Sequence, residues 1–197
     1  RQLTALELVV VDIIGPRAAA SLRYVGRRGN HSGGGNRYCV LFVDVGTERL
    51  FPYFIKSKDE LEETVRIAAS DMEIAARESV DYKGVPIRVQ RFVSDRDSNL
   101  TSTEAVTDML RDRIGHDMAA TDGKNQTALL DGAVRRIIDK ARALLVDSGL
   151  GLEYWEFAWR MAVLIINHLP TKQHSLHHSA MRRWTGKSDP DLSLIHI

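Results

Sequence analysis

Leu6-Glu-Leu-Val-Val-Val-Asp-Ile-Ile14 is a short, β-branched apolar run stopped by Gly15-Pro16. Such a run predicts a buried central strand, with a single carboxylate, Asp12, near its end. Tyr38 to Val45 predicts a second strand and Leu50 to Ile55 a third, where Pro52 argues for an edge position or a bulge. Ile87 to Val93 predicts a fourth, ending at Ser94-Asp95. Between the first two strands, residues 26 to 36 form a glycine-rich basic loop.

Helical spacing alternates with these strands. Over Lys58 to Ala76, Leu61, Val65, Ala68 and Met72 fall on one face. Thr103 to Leu110 reads as a short helix. The strongest pattern starts near Ala128: Leu130, Val134, Ile137, Ile138, Ala141, Leu144 and Leu145 make a continuous apolar stripe that Gly149 ends. Glu153 to Asn167 predicts a further helix, closed by Pro170, with Trp155 and Trp159 one turn apart in the core or at an oligomer contact. No internal repeat is present. The sum is an α/β chain with a central sheet flanked by helices.

Composition narrows the function classes. With 27 Lys and Arg against 26 Asp and Glu, the net charge of +1 requires any nucleic-acid face to come from local clustering. The single cysteine, Cys39, excludes an internal disulfide framework and a paired-cysteine zinc site, and on a strand it reads as a small buried hydrophobe. His174, His177 and His178 are of ligand type but stand in a polar stretch far from that cysteine, which argues against zinc. The longest apolar run, Met161 to Ile166, is far short of the ~18 to 20 residues that span a bilayer. The chain has no initiator methionine and stops in an apolar run, so it reads as a piece of a larger polyprotein.

Asp12 and Asp95 each close an apolar strand, and strand ends are where α/β sheets open to ligands. A plainer role is open to both, as Asp-initiated turns are common. Asp131 follows Asp95 with 35 residues between and lies beside the apolar stripe of the long helix. It too has a plain role: an acid in a first helical turn complements the macrodipole, worth ~0.3–1 kcal/mol. Three converging carboxylates would repel one another unless cations were bound, and oxygen ligands of this kind suit magnesium. Two such ions assist in-line phosphoryl transfer.

The order of several short motifs resembles the catalytic core of copia-type retrotransposon integrases. Leu8-Val-Val-Val-Asp12-Ile-Ile-Gly-Pro16 resembles the first catalytic block and Phe92-Val-Ser-Asp95 the second. Gly35-Asn-Arg-Tyr-Cys-Val-Leu-Phe-Val-Asp44 and Phe54-Ile-Lys-Ser-Lys58 resemble the strands between them. Ala141-Arg-Ala-Leu-Leu145, Tyr154-Trp155 with Ala158, and Ile166-Asn-His-Leu-Pro170 resemble the helices after the third acid. Trp184-Thr-Gly-Lys187 and Pro190-Asp-Leu192 resemble the stretch beyond, so the likeness runs from about residue 6 to 193. Individually these motifs are weak; their order and spacing are specific.

The resemblance implies a ribonuclease-H-like fold, a central mixed five-stranded sheet flanked by helices. It also implies a polynucleotidyl transferase that uses Mg2+ or Mn2+ to process transposon DNA ends and join them to target DNA. Residues 1–150 would form the core, and residues 151–197 its helical extension with a truncated C-terminal segment. The partners implied are DNA and further copies of the chain, with no membrane and no small-molecule substrate. The setting implied is intracellular, in the nucleus or a cytoplasmic particle of a eukaryotic cell. The histidine–cysteine zinc domain found upstream in such integrases is not in these residues.

Carried over position by position, Asp12 and Asp95 take the two aspartate places and Asp131 the glutamate place, both as catalytic groups and as metal ligands. The departures cluster there. Gly132 replaces an arginine, Thr127-Ala128 replaces asparagine-glycine, and Arg96-Asp-Ser-Asn-Leu100 replaces a glycine-rich acidic stretch. Asp131 is one methylene shorter than glutamate, and a 1 Å misplacement can lower a rate ~10²-fold. A catalytically decayed remnant, acting through DNA or protein binding alone, is the alternative. Arg135 and Arg142 lie one and three turns beyond Asp131 on its side of the helix, with Lys124 upstream, so these three are candidate DNA-phosphate contacts or a solvated face. Arg27, Arg28 and Arg37 around the glycine loop could hold phosphates more loosely, but read first as soluble loop.

Overall fold

A computed structural model of the chain describes residues 3–25, 32–94, 115–118, 124–170 and 178–188. Five strands make the main sheet: β1 (Val9–Ile14), β4 (Tyr38–Asp44), β5 (Leu50–Ile55), β6 (Arg91–Ser94) and β7 (Gly115–Met118). Two further strands, β2 (Tyr24–Val25) and β3 (Ser32–Gly33), form a separate antiparallel pair. The sheet order is β5-β4-β1-β6-β7, antiparallel between β5, β4 and β1 and parallel from β1 through β6 to β7. Among the described residues four α-helices accompany it: α1 (Leu61–Ala75), α2 (Lys124–Ser148), α3 (Trp155–His168) and α4 (Ala180–Thr185).

Central position explains the unbroken apolar runs. On β1, Val9 and Val11 enter a core with Leu61, Val65, Ala68 and Met72 of α1, while Val10 enters a second core with α2 and α3. β4 divides likewise, Val40 and Phe42 to the α1 side and Cys39, Leu41 and Val43 to the other. Helices on both faces require strands that are apolar at consecutive positions. The four α1 residues are those that helical spacing marks, and they are buried. A capping box at Ser57, with Glu60 reaching back, starts the turn that leads into α1.

β5 is an edge strand, as Pro52 predicts. The side-chain amide of Asn167 occupies the outward N–H and C=O of Leu50. Alternation along the strand places the missing N–H of Pro52 on that same outward side, where no ladder bond is forfeited.

Three expectations shift. β1 starts at Val9, because Leu6 takes φ 61° and its N–H bonds the Asp44 carboxylate instead of a ladder. β6 spans Arg91–Ser94; Val89 ahead of it is buried but unladdered, its N–H donating to Glu73. α2 begins four residues before Ala128 and ends where expected, at Gly149 with φ +66°. The expected helix at 103–110 lies outside the described residues. No described helix is long and apolar enough to cross a membrane.

Candidate functional site

Asp12 lies inside β1, a correction to the expectation that it closes the strand. It pairs with Leu41 of β4, and Ile13 and Ile14 continue that ladder. What ends at this level is the parallel pairing with β6, whose last matched pair is Val11 and Ser94. Asp12 is therefore the first β1 residue past the matched stretch of β6, at the parallel strand end where ligand sites form in α/β sheets. Its Oδ1 accepts from the Ile13 N–H at 2.7 Å, and the side chain is half-buried.

Side-chain alternation gives Asp12 its direction. Val10 and Ile14 flank it on the same face of β1, and both pack in the core that α2 builds with Leu129, Leu130, Ala133 and Val134. Asp12 therefore belongs to the α2 side of the sheet. Asp131 sits on the first part of that helix, one residue after buried Leu130, and is exposed. Arg135 and Arg142 are exposed on the same flank of α2. Sheet and helix thus bring Asp12 and Asp131 to one side of the molecule.

Asp95 follows Ser94 by a single peptide bond and lies outside the described residues. Lys124 opens α2, and its side chain is outside them as well. Among the described residues no three His, Cys, Asp or Glu side chains gather to hold a metal ion. His174 and His177 are not among those residues, nor are Arg27 and Arg28. Trp155 and Trp159 are core residues, edge to face at 5.7 Å.

The turn behind Asp12 is fixed by its surroundings. Gly15 has φ +137°, and a Cβ there would meet the Arg37 carbonyl oxygen at 2.7 Å, so only glycine fits. The chain beyond is held on α3: Ser21 Oγ and Asn36 Nδ2 both donate to Glu156 Oε2 at 2.8 Å, and Arg160 takes Oε1. Glu156 is 1% exposed. The Arg17 guanidinium lies 4.5 Å over the Trp159 ring and 5.7 Å from that of Trp155.

Sequence reasoning gives Glu156 no role and meets Asn167 only as a helix end and as part of the Ile166–Pro170 motif. The signal was available, since Glu156, Val163 and Asn167 recur at i, i+7 and i+11, on the buried stripe of α3. A polar residue on such a stripe is one that finds buried partners.

A mixed sheet in this order with helices on both faces defines the ribonuclease-H-like fold of integrase catalytic cores. The chain resembles the HTLV-2 integrase catalytic core domain, solved in complex with magnesium in a trimeric form. That likeness has a TM-score of 0.58 at 14% identity and covers 93% of this chain and 99% of the other. In sequence the chain is similar to the retrovirus-related Pol polyprotein from transposon TNT 1-94 of Nicotiana tabacum, 26% identical over 197 residues. All of this chain is matched there, spanning 13% of the length of that curated relative. No protein-family model matches. The sequence likeness is to a retrotransposon Pol polyprotein and the fold likeness to an integrase catalytic core.

Proposed function

We propose that the chain is the catalytic core of a copia-type integrase, a DNA strand transferase whose carboxylates are Asp12, Asp95 and Asp131. The observation that carries this reading is the register of β1. It sets Asp12 one step past the Val11–Ser94 pair, next in line to the residue after β6, and turns it to the α2 side where Asp131 stands. The reaction class is transesterification at phosphorus: water first hydrolyses a DNA end, and the freed 3′-hydroxyl then displaces one strand of a target phosphodiester.

The donor set fits a hard divalent cation, because all three side chains offer carboxylate oxygens and no soft ligand competes. Asp12, Asp95 and Asp131 would hold Mg2+ or Mn2+, which supplies charge stabilisation to the phosphate under attack. Lys124, Arg135 and Arg142 are the cations this reading assigns to DNA phosphates, contacts that would set the duplex in place. Self-association is part of the reading. Phe157, Met161 and Leu164 leave an exposed apolar stripe at i, i+4 and i+7 along α3.

A second reading has its own observation. Asp131 stands one methylene short on an exposed flank, followed by Gly132, as in a core that keeps its fold and has lost its chemistry. A magnesium-dependent strand-transfer assay on short duplexes separates the two, run with the parent chain, Asp131→Glu and Asp95→Asn. Activity in the parent that Asp95→Asn abolishes supports the transferase. A silent parent beside an active Asp131→Glu identifies the decayed core. Silence throughout, with no thermal stabilisation by magnesium, overturns the metal site itself.

A further inference from the structure

The molecule carries a cleft of about 610 Å3 away from the carboxylates. It is bounded by the C-terminal half of α2, the 149–152 connection, the start of α3 and the segment after β1. That volume suits a compact ligand or an anchoring side-chain cluster. Its rim is unusually apolar for a surface: Val146 is 76% exposed, Leu152 67% and Leu150 48%. Trp155 closes the floor.

Charge in the cleft has one sign. Arg17 and Arg142 line it, and no Asp or Glu does. Among the described residues neither guanidinium is paired with a carboxylate. Arg17 is held instead against the Trp155 and Trp159 rings, where burial draws its pKa down. A neighbouring groove between α2 and α3 is different, with Asp139 and Asp147 beside Lys140. Arg142 and Val146 stand on the ridge between the two and line both, so the cleft side of that ridge joins apolar walls to the two guanidiniums.

We propose that this cleft is a docking site for a short acidic–apolar segment of a partner protein. Bulky side chains of that segment would lie against Val146, Leu150, Leu152 and Trp155, and a neighbouring carboxylate would meet Arg142 and Arg17. The pairing satisfies both features of the wall at once. A carboxylate takes a guanidinium fork in a bidentate manner, and an apolar anchor in a preformed pocket supplies most of the affinity in such contacts. Nucleic acid fits the apolar interior of the cleft less well, since its interfaces are polar and strongly basic; Arg142, proposed above as a phosphate contact, stands where the two surfaces meet. The proposal needs no carboxylate of the site and shares with the proposed DNA path only Arg142.

The test is selection of random twelve-residue peptides displayed on phage against the whole chain, followed by fluorescence polarisation with the selected peptide labelled with fluorescein. The selected pool is expected to carry Asp or Glu next to Leu, Ile, Phe or Trp. Arg142→Glu and Leu152→Asp, both at exposed positions and checked for unchanged melting, should each weaken binding about tenfold or more. Replacing the peptide acid by Lys should recover affinity for Arg142→Glu. A pool without acids, or variants that bind within twofold of the parent, overturns the proposal. So does a 20-base-pair duplex that displaces the peptide and itself loses affinity for Leu152→Asp, which assigns the cleft to DNA.

Discussion

The side-chain amide of Asn167 closes two hydrogen bonds with the backbone of Leu50, its Oδ1 2.9 Å from the N–H nitrogen and its Nδ2 3.0 Å from the carbonyl oxygen. A helix residue thereby stands in for the neighbouring strand that the edge strand β5 lacks. Unpaired edges invite pairing with other chains, and this one is covered at its first residue by α3.

Asn167→Ala removes both partners and is expected to lower stability by about 1–3 kcal/mol. In a domain of this size that is a fall in Tm of several degrees. Asn167→Asp should be no better than alanine, because it sets a carboxylate against the Leu50 carbonyl. Urea midpoints of the three proteins check this, and an Asp variant as stable as the parent would refute the two-bond account.

Asp44 makes a pH-dependent contribution of defined sign. Its carboxylate is buried and accepts from the Leu6 N–H, the Thr47 N–H and the Thr47 hydroxyl. Burial outweighs these bonds and raises its pKa above the ordinary carboxylate value. Folding then favours the protonated form. The contribution is fully present below the unfolded-state pKa and is lost as pH rises through the folded-state value. Thr47→Val removes one donor to the ionised form, so Asp44 should titrate higher still and the loss should move to higher pH. Carbon-13 titration of the Asp44 carboxyl reads both quantities; a midpoint at or below the ordinary value would contradict the sign.

Cys39 offers a clean reporter of opening. It is fully buried on β4 between α2 and α3, and burial pushes its thiol pKa well up. In the folded chain it should react with iodoacetamide at pH 8 on the order of a hundredfold more slowly than in urea. Equal rates would mean that β4 is not the interior strand described.

How far the sequence speaks depends on what each element needs from its side chains. β1, β4 and α2 need apolar residues in a fixed rhythm, and Val9 to Val11, Cys39 to Val43 and Leu130 to Ala141 display it. β7 needs only backbone pairing with β6, and Gly-His-Asp-Met carries no strand preference, so residue reading finds four strands of the sheet. The fifth came from the likeness to copia integrases. Leu6 illustrates the opposite failure: it is apolar and β-compatible, yet Asp44, 38 positions away, holds its N–H out of the ladder. Asp12 and Asp131 are legible as candidates from a strand end and a helical stripe, and the family motifs add their roles. That they share one side of the sheet follows from the register of β1, which no single-residue pattern encodes.

Arg135 and Arg142 carry the last prediction, which rests on the proposed DNA-binding role. They lie seven residues apart on one flank of α2, about 10 Å along its axis. That spacing lets each meet a different phosphate of one strand. Each neutralised phosphate contributes about 0.9 to the slope of log affinity against log salt. Arg135→Ala and Arg142→Ala should each reduce that slope by about one, and the double variant by about two, with the loss of affinity the same for unrelated sequences. Arg136, whose Nε donates to the Gly132 carbonyl, is the internal control: alanine there should leave the slope unchanged. Equal slopes for all four proteins would place the duplex elsewhere and leave the α2 arginines as a solvated face.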